Sequence, residues 1–82
     1  MTLGQHIRRG RMRCGWTARE FARRLGIHYV YLSRVETDVQ ATSRAMLARI
    51  AALLAEHGEP LPVNADTLLE QSRGLKRTAA VG

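Results

Sequence analysis

Twelve of the thirteen cationic residues in this 82-residue chain are arginines, and eight of the twelve lie in residues 1–36 against only Glu20 and Glu36. In residues 37–82 five cations face five acids, so the whole net charge of +6 sits in the first half. A guanidinium grips phosphate with two parallel hydrogen bonds, which a lysine ammonium cannot do. Charge segregated in this way points to a polyanionic partner. A basic surface kept only for solubility is the plainer alternative, but it does not explain the near-exclusive use of arginine. Other chemistry is poorly provided for. His6, His28 and His57 are not spaced as metal ligands. No Ser/His/Asp or Cys/His set occurs at useful spacing, and no glycine-rich phosphate loop is present. Cys14 is the one cysteine. It excludes an internal disulfide, suits a reducing cytosol, and reads as a small apolar residue near the end of the first helix. The expectation is a cytoplasmic non-enzyme with no catalytic residues, metal, cofactor or small-molecule substrate.

The elements that must position these arginines centre on residues 17–36, TAREFARRLGIHYVYLSRVE. Thr17 and Glu20 have the spacing of a capping box, and Trp16 can close over Phe21 as a hydrophobic staple. A helix from Ala18 to Leu25 then puts Phe21, Ala22 and Leu25 on one face. Gly26 takes a positive φ cheaply and ends it. Ile27 anchors the turn. A second helix, His28 to Glu36, buries Leu32 and Val35 and leaves His28, Tyr29, Val30, Ser33 and Arg34 outward. Ala22 is small where the two helices must cross closely, and Tyr31 sits on the flank, part-buried.

Phe21-Ala22, Leu25-Gly26-Ile27, Leu32 and Val35 match the pattern of a helix-turn-helix. The wider frame from Leu3 to Glu36, LGQHIRRGRMRCGWTAREFARRLGIHYVYLSRVE, resembles the Cro/repressor (XRE) family of DNA-binding proteins, a likeness extending to about residue 54. The resemblance implies an all-α, five-helix, lambda-repressor-like domain with the helix-turn-helix at helices 2 and 3. It implies that Arg11 and Glu36 form a structural ion pair tying helix 1 to the end of helix 3. It places base contacts at His28, Tyr29, Val30 and Arg34, and phosphate contacts at Thr17, Arg19, Arg23, Ser33, Thr37, Gln40 and Arg44. His28 stands where the family favours a Ser or Thr cap, so a poor cap and a phosphate contact are expected of it. Ala18 replaces a phosphate-holding Gln, for which Thr17 and Arg19 can substitute. The loop 37–43 lacks the family's glycine and basic residues. Asp38 is suited to the left-handed conformation there, and Thr37, Gln40 and Thr42 are left to meet phosphate.

Around this frame, Thr2 and Gln5 suit the start of a first helix over residues 2–13, with Leu3, Ile7 and Cys14 along one side. Gly10 weakens that helix and can leave room for Tyr31 or Trp16. Ser43 caps a fourth helix, Arg44 to His57, whose Met46, Leu47, Ile50, Ala51, Leu53 and Leu54 close the core, and Gly58 ends it. After the stiff Glu59-Pro60-Leu61-Pro62 connector, Asn64 or Asp66 caps a short fifth helix to about Ser72. Leu61, Val63, Leu68 and Leu69 complete the core or form a dimer or partner surface. Residues 1–72 are read as the DNA-binding domain and 73–82 as a basic, loosely ordered tail, more solvated than phosphate-bound. No secretory signal and no run of about 18 apolar residues is visible. The expected function is a homodimeric repressor reading an inverted repeat in double-stranded DNA, away from membranes. The alternative is an antitoxin or phage accessory protein that mainly holds a partner protein through Leu61 to Leu75.

Overall fold

The computed structural model of the chain describes residues 1–72, and the expectations for the tail 73–82 lie outside them. The helices are α1 (Leu3–Arg13), α2 (Ala18–Leu25), α3 (Tyr29–Glu36) and α4 (Arg44–Glu56). A fifth, α5, covers residues 65–72, and no strand occurs among the described residues.

Local chemistry sets each boundary. At α1 the capping box is complete, with Gln5 N–H on the Thr2 hydroxyl at 3.2 Å and Thr2 N–H on Gln5 Oε1 at 2.9 Å. At α2 only half of the expected box forms. Thr17 Oγ1 accepts from Glu20 N–H at 3.1 Å, but the Glu20 carboxylate turns to Arg23 and Arg24 instead of reaching back. Two guanidinium partners outcompete one backbone N–H for a carboxylate. Trp16 stacks on Phe21 at 5.5 Å, closing the staple. Gly26 (φ +72°) ends α2, and Ile27 N–H returns to Ala22 O at 3.0 Å. Ser43 caps α4 through Met46 N–H at 3.0 Å, and the helix stops at Glu56 with His57 as its C-cap.

One core joins all five helices: Leu3 and Ile7 from α1, Phe21, Ala22 and Leu25 from α2, Leu32 and Val35 from α3, Leu47, Ile50 and Leu54 from α4, and Leu69 from α5. Burying each large side chain contributes roughly 1.5–3 kcal/mol, which a chain this small needs. Leu69 is only 1% exposed, so it belongs to the core and is not available to a dimer seam. Leu61 and Leu68 are half-buried against that core, and Val63 alone of the four stands fully in solvent.

Two glycines of α1 set how closely it packs. A Cβ on Gly4 would lie 2.4 Å from the Val35 carbonyl oxygen and 2.6 Å from that of Glu36. The start of α1 therefore rests on the backbone of the end of α3. Gly10 makes room for Leu54 of α4, whose Cδ1 would lie 3.0 Å from an added Cβ. The neighbours expected from sequence, Tyr31 and Trp16, are not the reason for it. Tyr31 instead lies half-buried with its hydroxyl 2.9 Å from that of Thr42.

The two glycines should therefore respond differently to alanine. Gly4→Ala forces backbone apart and should cost about 3 kcal/mol or more. Gly10→Ala meets the movable end of a leucine and gains up to ~1 kcal/mol of helix propensity, so it should be close to neutral. Urea unfolding of the two variants checks the contrast, and equal losses would contradict the packing just described.

Candidate nucleic-acid interface

The side chains expected to contact bases share the outer face of α3. Tyr29 and Val30 are 36% and 39% exposed, and His28, Ser33 and Arg34 are exposed beside them. Leu32 and Val35 point inward. Among the described residues the Arg34 side chain has no ion pair and no hydrogen bond. Its five donors are open to an acceptor such as the paired O6 and N7 of a guanine.

His28 corrects an expectation. It caps α3: Nδ1 accepts the Val30 N–H at 3.1 Å, so the helix begins at Tyr29. A neutral imidazole with Nδ1 accepting carries its proton on Nε2. The ring also stacks on Tyr29 with centroids 4.8 Å apart, and the Arg19 guanidinium lies over the other ring of that contact, 4.2 Å from the Tyr29 centroid. Arg19, Tyr29 and His28 thus tie the start of α2 to the start of α3 through stacked planes.

The arginines of α2 are not equivalent. Arg19 has no carboxylate partner among the described residues. Arg23 and Arg24 both hold Glu20, through Nε contacts of 3.1 Å each. The Glu20 carboxyl is held below the ordinary carboxylate range, first by its hydrogen bond to Arg23; partial desolvation opposes this, and the charges of Arg23 and Arg24 add to it. Arg24 also lies over the Trp16 ring at 4.6 Å. Arg44, the one cation near the α3–α4 loop, is engaged by Glu70 of α5 at 2.6 Å, an exposed pair that sequence reading did not foresee. Thr17 is occupied as a cap and Thr37 donates its hydroxyl to Ser33 O at 2.8 Å. Thr42 is buried, 2% exposed, and cannot reach a phosphate from there. Gln40 is half-exposed, and Val39, not anticipated, is 64% exposed on the same loop.

Behind this face, Arg11 and Glu36 meet in a bidentate pair, Nε–Oε2 2.8 Å and Nη2–Oε1 3.0 Å. Their side chains are 12% and 5% exposed. The remaining Arg11 nitrogen, Nη1, donates to Trp16 O at 2.9 Å. Two supports were missed from sequence. Asp38, in the left-handed region at φ +63°, accepts from Thr2 Oγ1 at 2.5 Å and from Gly4 N–H at 3.2 Å. Arg49 of α4 donates to Leu25 O at 2.5 Å and so steadies the turn between α2 and α3. Neither contact follows a local spacing rule, so only their residue types, a turn-tolerant Asp and a long donor, could have hinted at them. Cys14 is half-buried, and burial with the nearby Glu59 pushes its thiol above the ordinary value despite Arg24.

Compared with known proteins, residues 2–62 match a family model described as a helix-turn-helix domain. No curated protein and no solved structure matches the chain.

Breaking the Arg11–Glu36 pair from one side should be severe. Glu36→Ala leaves a buried guanidinium unpaired and should cost about 3–5 kcal/mol, whereas a double change of Arg11 and Glu36 to apolar residues should cost less than either single change. Denaturant unfolding of the three variants measures this. The Glu20 pairs act at acid pH with a defined sign. Their contribution is present above the unfolded carboxyl value and is lost as pH falls through the lowered folded one. The stability difference between the wild type and Glu20→Gln should therefore hold at neutral pH and close as pH falls through that window.

Proposed function

The chain belongs to the helix-turn-helix domain family, a family of DNA-binding folds, and on that premise we propose that it is a sequence-specific transcriptional regulator of Cro/repressor type. The observation that supports this most is the composition of the exposed α3 surface: a capping histidine, a tyrosine and a valine at its start, and in its last turn an arginine with no partner among the described residues. A helix presenting such residues enters the major groove with its N-terminal end toward the bases. Arg34 grips guanine O6 and N7, and Val30 touches a thymine methyl. Tyr29 is held between Arg19 and His28, so its hydroxyl is presented with little entropy left to lose. His28 offers Nε2–H as a donor outward.

Arg19 is the leading phosphate contact on α2, ahead of Arg23, because no carboxylate among the described residues competes for it. The α2 N-terminus adds its dipole and free N–H groups. Ser33, Thr37 and Gln40 lie on the path of the other strand, and Arg44 joins them once it exchanges Glu70 for phosphate. Two copies read an inverted repeat with half-sites about one helical turn, ~34 Å, apart. Val63, with Leu61 and Leu68 beside it, supplies the contact between copies, and repression follows from occluding polymerase. Residues 1–72 are the DNA-binding unit in this reading, with no catalytic role.

Selection of bound duplexes from a random pool, followed by salt titration, tests the proposal. One sequence should emerge and affinity should fall steeply with salt. Arg34→Ala should relax preference at one base pair at a cost of about 1–3 kcal/mol. Arg19→Ala should weaken all duplexes alike and lower the salt slope by ~1, with Arg23→Ala following more weakly. A pool that yields no preferred duplex rejects the reading.

A further inference from the structure

We propose that the outer face of α1 is a second binding surface, which docks an acidic amphipathic segment of a partner protein while α3 is free to hold DNA. Gln5, Arg8, Arg9, Met12 and Arg13 line a shallow, open cleft of about 420 Å³ on this face. Met12 is 58% exposed and Met1 61%. Arg9 Nη1 lies 3.9 Å from Met1 Sδ, which sets both thioethers beside one row of guanidinium groups.

The core-facing side of α1 is taken up by packing. Gly4 rests on the end of α3, Arg11 holds Glu36, and Gly10 takes in Leu54. The cleft therefore opens away from α3 and α4. Arg9 and Arg13 also border a pocket that includes Leu61, so the cleft adjoins the Leu61 segment, but Gln5, Arg8 and Met12 belong to the cleft alone.

The chemistry of the cleft selects its occupant. Arg8 and Arg9 have no acidic partner among the described residues, and Arg13 meets only Glu59, at 3.7 Å. The surface is thus short of carboxylates. A second copy presenting the same face would set arginine against arginine, so it is a poor occupant. A track for nucleic-acid backbone has no use for exposed thioethers, whereas flexible, polarizable methionine packs readily on apolar side chains. A membrane helix needs a broad exposed apolar face, and that face of α1 is buried in the core. What fits is a helix with carboxylates flanking large apolar residues at i and i+4, laid along the groove.

The test uses the isotope-labelled full chain and a synthetic four-turn peptide of alanine and glutamate with two leucines at i and i+4. Amide shift changes should map to α1, and the peptide should still bind when the selected duplex is present. Met12→Gln and the double variant Arg8→Gln/Arg9→Gln should each weaken the peptide about tenfold and leave duplex affinity within about twofold. These positions are exposed and glutamine is a good helix former, so the variants should keep the wild-type dispersion of amide signals. A peptide with serine in place of leucine binding equally well overturns the proposal, because bulk charge then suffices. So does loss of duplex affinity in the double arginine variant, which would make the face a DNA track. Binding to phosphatidylserine vesicles in preference to the peptide would assign it to lipid and likewise overturn it. The shift map on α1 and its loss in the Met12 and arginine variants are read without DNA, so they stand even if the duplex selection fails, and the two readings fail separately.

Discussion

The guanidinium of Arg11 is where three helices meet. It belongs to α1, takes both carboxylate oxygens of Glu36 at the end of α3, and gives its last nitrogen to the backbone just before α2. An eight-residue helix such as α3 does not hold together in water by itself. Its direction has to be imposed from behind. Apolar contacts from Leu32 and Val35 supply attraction, but attraction between smooth side chains tolerates sliding. A two-pronged pair in a nearly dry setting does not, because any rotation breaks a charged hydrogen bond that water cannot replace. Asp38 does the same from the other end of α1, accepting from the Gly4 N–H and the Thr2 hydroxyl while holding the chain that leaves α3. With no side chain at Gly4, the two helix ends sit in direct backbone contact.

Net charge overstates what a polyanion would find. The arginines divide by what already holds them. Arg11 and Arg49 are structural. Arg23, Arg24, Arg13 and Arg44 are engaged by Glu20, Glu59 and Glu70 on exposed surfaces, where such pairs are worth little and exchange easily. Arg19, Arg34, Arg8 and Arg9 have no acidic partner among the described residues. Arg19 lies against the start of α3, Arg34 stands in its last turn, and Arg8 and Arg9 line the outer face of α1. One basic half of a sequence has thus become two basic surfaces, one on α2 and α3 and one on α1.

Much of the architecture was legible from residue order, because it depends on neighbours within a turn or two. The Thr2, Thr17 and Ser43 caps, the Gly26 turn and the Trp16–Phe21 staple are all contacts closed over a few residues, where backbone geometry leaves few alternatives. The limits of α2 and the inward set Phe21, Ala22, Leu25, Leu32 and Val35 follow from the 3.6-residue period. His28 was misjudged as a cap because propensity averages over tautomers, and here one lone pair happens to reach Val30. The Glu20 half of the capping box failed for a related reason: spacing permits a contact without ranking it against stronger partners.

The sequence by itself therefore determined the helices, the Thr2, Thr17 and Ser43 caps, the apolar stripe and the charge imbalance, since all of these arise from local sterics, periodicity and composition. Tertiary structure alone decided that Leu69 is core and Val63 is not, that Gly10 serves Leu54, that Arg49 props the turn at Leu25, and which arginines are left open. Those outcomes depend on residues far apart in the chain competing for the same space or the same charge. Only the folded arrangement, which brings them within a few ångströms of each other, settles that competition.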